Sequence, residues 1–313
     1  LFFLQLILLR AKVKRAETVR GFVFGEVGQL FNTFYTQNLP FTLTEAQKRV
    51  LREIRNDMGS GHQMNRLLQG DVGSGKTIVA LMCMLLAADN GYQSVLMAPT
   101  EVLAMQHYAS ISELVQGLDI QIAFLSGSVT GAQRKTLLED LRNNKTQILL
   151  GTHAVIEESV EFANLGLAIT DEQHRFGVAQ RAQMWIKSPL NPPHVLVMTA
   201  TPIPRTLALT VYGDLDVSVL DELPPGRKPV ITSQRTEAHR TKVMDFVRNE
   251  ISKGRQVYVI YPLIEESEKL DLENLQDGYE RLLQTFPRPE YQLSVVHGRM
   301  KANVKDEEMQ RFK

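Results

Sequence analysis

Short apolar runs alternate with longer helix-patterned stretches along most of this chain. The runs are Arg66-Leu67-Leu68-Gln69, Ser94 to Ala98, Gln121 to Leu125, Gln147 to Leu150, Leu167 to Thr170 and Val195 to Thr199; Ile78 to Ala88 is an Ala-, Leu- and Met-rich helix between the first two. Runs this short and this apolar fit strands covered on both faces, and their alternation with helices predicts an α/β fold with a parallel sheet flanked by helices. At Leu223-Pro224-Pro225-Gly226-Arg227 two prolines and a glycine stop either kind of element, which marks a hinge. The rhythm then restarts, with strands expected at Val230 to Gln234, Gln256 to Tyr261 and Leu293 to His297, a helix ending near Ser252, and another from Lys301 to Phe312. The expected organisation is a helical linker over 1–38, an α/β domain over 39–225, and an incomplete second α/β domain over 226–313. The charged stretch Glu265 to Asp271 reads as a solvated loop.

The first helix is entered through Gly70-Asp71-Val72-Gly73-Ser74-Gly75-Lys76-Thr77. A strand, a glycine-rich turn ending in Lys-Thr, and a helix make a phosphate-binding loop: the glycines let backbone N–H groups converge on a triphosphate, Lys76 sets a compact charge on the β- and γ-phosphates, and Thr77 offers a hydroxyl to Mg²⁺. Downstream, the strand Leu165 to Thr170 ends in Asp171-Glu172-Gln173-His174. Carboxylates at that end of a parallel strand lie where open sheets bind ligands. Asp171 is suited to hold Mg²⁺ and Glu172 to orient the water that attacks the γ-phosphate.

Composition excludes more than it assigns. The 313 residues include 35 basic and 35 acidic ones, so no global positive field announces a nucleic-acid partner, although local donors can still track a phosphate backbone. With 43% hydrophobic and 22% charged residues the chain has a soluble globular composition. One cysteine, Cys83, forbids an internal disulfide and suits the reducing cytoplasm; it sits on the apolar helix as a core residue. The seven histidines lack metal-ligand spacing, so no structural metal is expected. The opening run Leu1 to Leu9 is shorter than the roughly 20 residues that span a bilayer, and no membrane partner is expected. Arg10, Lys12, Lys14, Arg15 and Arg20 after it suit a solvated helix face and nucleic-acid contact equally.

With these motifs in order the chain resembles the superfamily 2 helicases and translocases over nearly its whole length. Phe41-Thr42-Leu43-Thr44-Glu45-Ala46-Gln47 is similar to the segment of that family that reads adenine, through Phe41 and Gln47. Ala98-Pro99-Thr100-Glu101 and Gly151-Thr152-His153 are similar to its nucleic-acid backbone contacts, and Thr199-Ala200-Thr201 to the motif that links hydrolysis to movement. The longer forms Asp171 to Gly177, Thr199 to Thr206 with Arg205, Asp221 to Arg227, Leu263 to Ser267 and His297 to Lys301 resemble the branched-DNA helicases of the superfamily, and less closely the transcription-repair coupling factors.

The resemblance implies RecA-like domains, ATP and Mg²⁺ as cofactors, and branched or duplex DNA as partner. It also implies a monomeric motor that remodels stalled forks and Holliday junctions in repair and recombination, with His174, Thr199 and Thr201 relaying the nucleotide state. In such proteins a wedge domain precedes the linker, and an arginine finger lies beyond the last helix seen here, so turnover by this stretch alone is expected to be near background. A P-loop phosphotransferase and a non-catalytic nucleic-acid scaffold are the readings from other classes. The first completes its site in one domain, and the second has no need of Lys76, Thr77, Asp171 and Glu172 together.

Overall fold

A computed structural model describes residues 6, 10, 19–171, 191–201, 215–222, 230–261, 268–298, 300 and 302–312. The chain divides into two compact units, Leu1–Lys228 and Pro229–Lys313.

Among its described residues the first unit has seven strands: β1 (Asn65–Gly70), β2 (Gln93–Met97), β3 (Ile122–Leu125), β4 (Ile148–Gly151), β5 (Leu165–Asp171), β6 (His194–Thr199) and β7 (Asp216–Leu220). All neighbours pair in parallel, in the order β3-β4-β2-β5-β6-β1-β7. The α-helices among its described residues are α1 (Gln29–Thr33, continued as a π-turn over Phe34–Asn38), α2 (Glu45–Met58), α3 (Lys76–Asp89), α4 (Glu101–Leu114) and α5 (Gly131–Arg142).

Successive strand residues serve opposite faces, as the pleat requires. Leu68, Leu96, Leu150, Ile169, Leu196 and Met198 join α2 and α3 in one core, while Val95, Met97, Leu149 and Ala168 join Leu141 of α5 on the other face and Leu67, Val195 and Val197 form a third cluster. Both faces are therefore covered, which is why the strand segments read as unbroken apolar runs. In α3 every residue from Ile78 to Ala87 is buried, so this helix is apolar all round rather than striped. Cys83 is among them, and burial pushes its thiol up to about 12.

The structure differs from the sequence expectations in four places. Residues 19–28 are not helical: Arg20 bridges antiparallel to His62, and Phe24 is buried between Tyr92, stacked at 5.0 Å, and His194, edge-on at 4.8 Å. Phe22 and Phe24 are both core residues two apart, a spacing that suits extended chain and not a helix. Strand β7 was not foreseen, because Asp216-Val217-Ser218-Val219-Leu220 is half polar; it pairs along β1, and Ser218 Oγ accepts a 2.7 Å bond from Arg66.

In the second unit the described elements are a 3-10 turn (Glu237–His239), α6 (Arg240–Ser252), α7 (Glu268–Thr285) and α8 (Ala302–Phe312), and no strand occurs among its described residues. The segments expected as strands at 230–234, 256–261 and 293–297 carry no ladder; Ile231 and Ile260 are largely exposed. A strand exists only through its neighbours' hydrogen bonds, which sequence pattern alone does not supply. Residues 268–271, expected as loop, open α7.

Candidate nucleotide site

The site is assembled by adjacency of strand ends. In the parallel registers Gln69 of β1 lies beside Thr199 of β6, and Met198 of β6 beside Asp171 of β5. Thr199 therefore sits between the glycine-rich loop and the acidic strand end, with neighbouring strands about 4.8 Å apart. The chain leaves β1, forms α3, and enters β2 on the far side of β5 and β6, so the loop lies at the reversal of strand order where open sheets take ligands.

The loop is held open by its own hydrogen bonds. Gly73 (φ 78°) and Gly75 (φ 89°) occupy the left-handed region that other residues avoid. A Cβ at Gly75 would collide with Gln47 Nε2. Ser74 N–H donates to Asp71 O at 3.1 Å, Val72 N–H to Asp71 Oδ1 at 2.8 Å, and Lys76 Nζ to the carbonyls of Gly70 at 2.7 Å and Asp71 at 3.0 Å. Ser74 Oγ is buried with no hydrogen-bond partner, a polar atom aimed into the loop. Gly75 is the N-cap of α3, which places Lys76 and Thr77 in its first turn, where helix amides favour an anion.

Helix α2 walls the other side. Thr44 and Gln47 form a capping box: Thr44 Oγ1 accepts from Gln47 N–H at 3.2 Å and Gln47 Oε1 from Thr44 N–H at 2.9 Å. Gln47 Nε2 donates to Ser74 O at 2.9 Å, so this buried amide ties the helix to the loop. Glu222 Oε2 accepts from Ala46 N–H at 3.2 Å, and Arg49 bonds Asp221 at 2.7 Å and Val219 O at 2.9 Å, fastening the chain after β7 to α2. The Arg49 hydrogen bond holds the Asp221 carboxyl below its usual range. Phe41, Thr42, Thr44, Gln47, Gly73 and Gly75 through Ile78 line a cavity of about 630 Å³, a size that takes a nucleotide. Phe41 is exposed at its rim.

Asp171 ends β5 almost fully buried, and its Oδ2 lies 2.8 Å from Nε2 of His107 on α4. The sequence reading missed His107; its single signal is the two-turn offset from Thr100, which caps α4 by accepting from Leu103 N–H at 3.3 Å. Further along the same sheet edge, Gly151 packs too tightly against Leu125 O and Val155 for any Cβ, and buried Thr152 donates its N–H to Leu125 O at 3.2 Å and caps the turn at exposed His153. Pro99 precedes Thr100 at the end of β2, partly exposed. Thr199 Oγ1 pairs with Thr201 Oγ1 at 2.9 Å and accepts from Thr201 N–H at 3.2 Å. Glu101 accepts from Ser128 at 2.5 Å and Ser126 at 2.8 Å, and these bonds hold its carboxyl below the usual range. Glu172, His174 and Arg205 lie outside the described residues.

Residues 44–210 match the family model of the DEAD/DEAH box helicases, more than half of the chain. The chain belongs to that family. Among curated proteins it is 47% identical over 313 residues to the ATP-dependent DNA helicase RecG of Aquifex aeolicus, covering all of this chain and 39% of that one, and 51% identical over 278 residues to RecG of Bacillus subtilis, covering 89% and 40%. The chain thus spans about two fifths of the length of the curated relatives it matches. A solved structure of RecG bound to a three-way DNA junction superposes with a TM-score of 0.81 at 41% identity, over 99% of this chain and 40% of that one. Yeast Dbp5 bound to RNA and ADP BeF3, at TM-score 0.60 and 15% identity over 92% of this chain and 72% of that one, shares the helicase fold. No helix among the described residues is long and apolar enough to cross a membrane.

Proposed function

We propose that this chain is the ATP-binding portion of a RecG-like, ATP-dependent DNA helicase that remodels branched DNA. The observation that carries the reading is the side-by-side register of the ends of β1, β6 and β5, which brings the Gly70 to Thr77 loop, Thr199 and Asp171 to one edge. The relatives named above and the solved junction complex support branched DNA as the substrate.

In this reading 39–225 is the first RecA-like domain and 226–313 part of the second. Phe41 and Gln47 face the adenine, while Asp71 to Gly75 wrap the phosphates with backbone N–H groups. Lys76 exchanges its bonds to the Gly70 and Asp71 carbonyls for β- and γ-phosphate oxygens. Thr77 and Asp171 would hold Mg²⁺; the buried Ser74 hydroxyl and the tight glycine cradle fit a triphosphate beside them. When bound, Mg²⁺ would supply positive charge against the phosphate oxygens. Glu172 would orient the attacking water, and His174 would join Thr199 and Thr201 in relaying the nucleotide state. Thr199 and Thr201, bonded to each other, carry loop displacements toward Pro99, Thr100, Gly151, Thr152, His153 and Arg205, which contact the DNA backbone.

The test uses the whole protein that contains this chain. ATP hydrolysis is measured with a three-way junction, a linear duplex and no DNA. The junction should stimulate turnover most, and Glu172→Gln should abolish turnover while retaining nucleotide binding. Equal rates on all three would reject the branched-DNA reading, and transfer of phosphate to a small acceptor would favour a phosphotransferase.

A further inference from the structure

We propose that His107 is a positioning residue that fixes the Asp171 carboxylate in the orientation needed to hold Mg²⁺. The proposal rests on the reading of Asp171 as a ligand of that ion. A carboxylate at the end of a strand rotates about its own side-chain bonds, and the strand ladder sets only its backbone. Here the rotation is stopped from outside the strand: the imidazole Nε2 of His107 donates to Oδ2 at 2.8 Å, and both side chains are largely buried, at 14% and 13% exposure. A hydrogen bond to a charged acceptor, shielded from water, is short and directional. Groups that bond to a metal-binding side chain from behind commonly set metal affinity by about 10–100-fold.

The anchor is rigid because of where it starts. His107 lies seven residues into α4, whose first turn is capped by Thr100 at the end of β2, and β2 is hydrogen-bonded directly to β5. The imidazole is thus mounted on the helix that follows the strand next to the one that carries Asp171. A histidine needed for packing alone would be satisfied by apolar neighbours or by a backbone carbonyl, as His194 is by Phe22 O.

The 313-residue chain is titrated with the fluorescent analogue mant-ATPγS at varied MgCl₂, and separately in EDTA. His107→Ala and His107→Asn, the latter too short to reach Oδ2, should each raise the half-saturating Mg²⁺ by about 10–100-fold and leave the EDTA affinity unchanged. His107→Gln, whose amide can donate to the same oxygen, should restore most of the Mg²⁺ response, which a role in packing alone does not predict. If Asp171→Asn shifts the Mg²⁺ requirement and neither His107→Ala nor His107→Asn does, the positioning role is overturned and the ligand assignment stands. If Asp171→Asn itself shifts nothing, the ligand assignment fails and the positioning role fails with it. Should His107→Ala lose binding in EDTA as well, the comparison of Asn with Gln decides: equal Mg²⁺ requirements for those two overturn the proposal.

Discussion

Replacing Gln47 by alanine removes two hydrogen bonds that share one buried amide. The bond from Thr44 N–H to Oε1 is half of the capping box of α2, and its loss costs about 1 kcal/mol. The bond from Nε2 leaves Ser74 O without its buried donor, which costs about 1–3 kcal/mol. The sum is about 2–4 kcal/mol, near the upper end for a single substitution. For a unit the size of Leu1–Lys228 each kcal/mol moves Tm by about 2–4 °C, so the midpoint should fall by about 5–15 °C. Differential scanning calorimetry measures the shift. Gln47→Glu is the control, because it keeps an acceptor for Thr44 N–H but turns an oxygen toward Ser74 O. Hydrogen exchange should then remain slow at the start of α2 and quicken in the phosphate loop. A midpoint for Gln47→Ala within a degree of the wild type would refute the claim that this amide ties helix to loop. A midpoint that falls with unchanged preference for ATP over GTP would leave the tie intact and remove the adenine role.

Three further outcomes follow from buried or half-buried groups. His194 accepts from Met64 N–H through Nδ1 at 2.9 Å and donates from Nε2 to Phe22 O at 3.0 Å, and burial lowers its pKa from 6.5 to about 4. The unfolded chain therefore takes up this proton first; stability is full above pH 6.5 and falls by about 3 kcal/mol as pH drops to 4. Urea midpoints of His194→Gln should decline less over that window, and parallel decline would contradict the assignment. Asp89 at the end of α3 accepts the backbone N–H groups of Gly28, Leu30 and Phe31 at 2.9–3.0 Å, so Asp89→Ala should expose residues 20–38 to limited proteolysis at least tenfold faster, given about 1.5–3 kcal/mol per bond to a charged group. Unchanged cleavage there would contradict it. Cys83, its thiol held protonated by burial, should ignore a thiol reagent in the native chain and react fully in denaturant; prompt native labelling would mean that the core around α3 is not closed over it.

The sheet of the first unit was legible because both its faces are covered, which leaves strands such as Leu165 to Thr170 without polar interruption. The turn from Gly70 to Thr77 was legible as a turn because its glycine spacing meets the left-handed backbone found at Gly73 and Gly75. Edge strand β7 was not, since Ser218 faces Arg66 and breaks the apolar run. The pairing of His107 with Asp171 was invisible for a different reason: the two residues are 64 positions apart, and only the strand order brings α4 to the end of β5. The segment 19–28 was misread as helix because Phe22 and Phe24 answer to partners such as Tyr92 and His194 that lie far along the chain. In the second unit the apolar runs were plain, but a ladder depends on which strands meet, and no local pattern encodes that.

The most direct test of the central claim is a calorimetric titration of this chain with ATP and Mg²⁺, alongside Lys76→Ala. The account predicts saturable binding of one nucleotide per chain by the wild type. It also predicts at least a tenfold loss in the variant, as expected when a charged hydrogen-bond donor to phosphate is removed. Equal affinity of the two proteins, or no binding by the wild type, would contradict it.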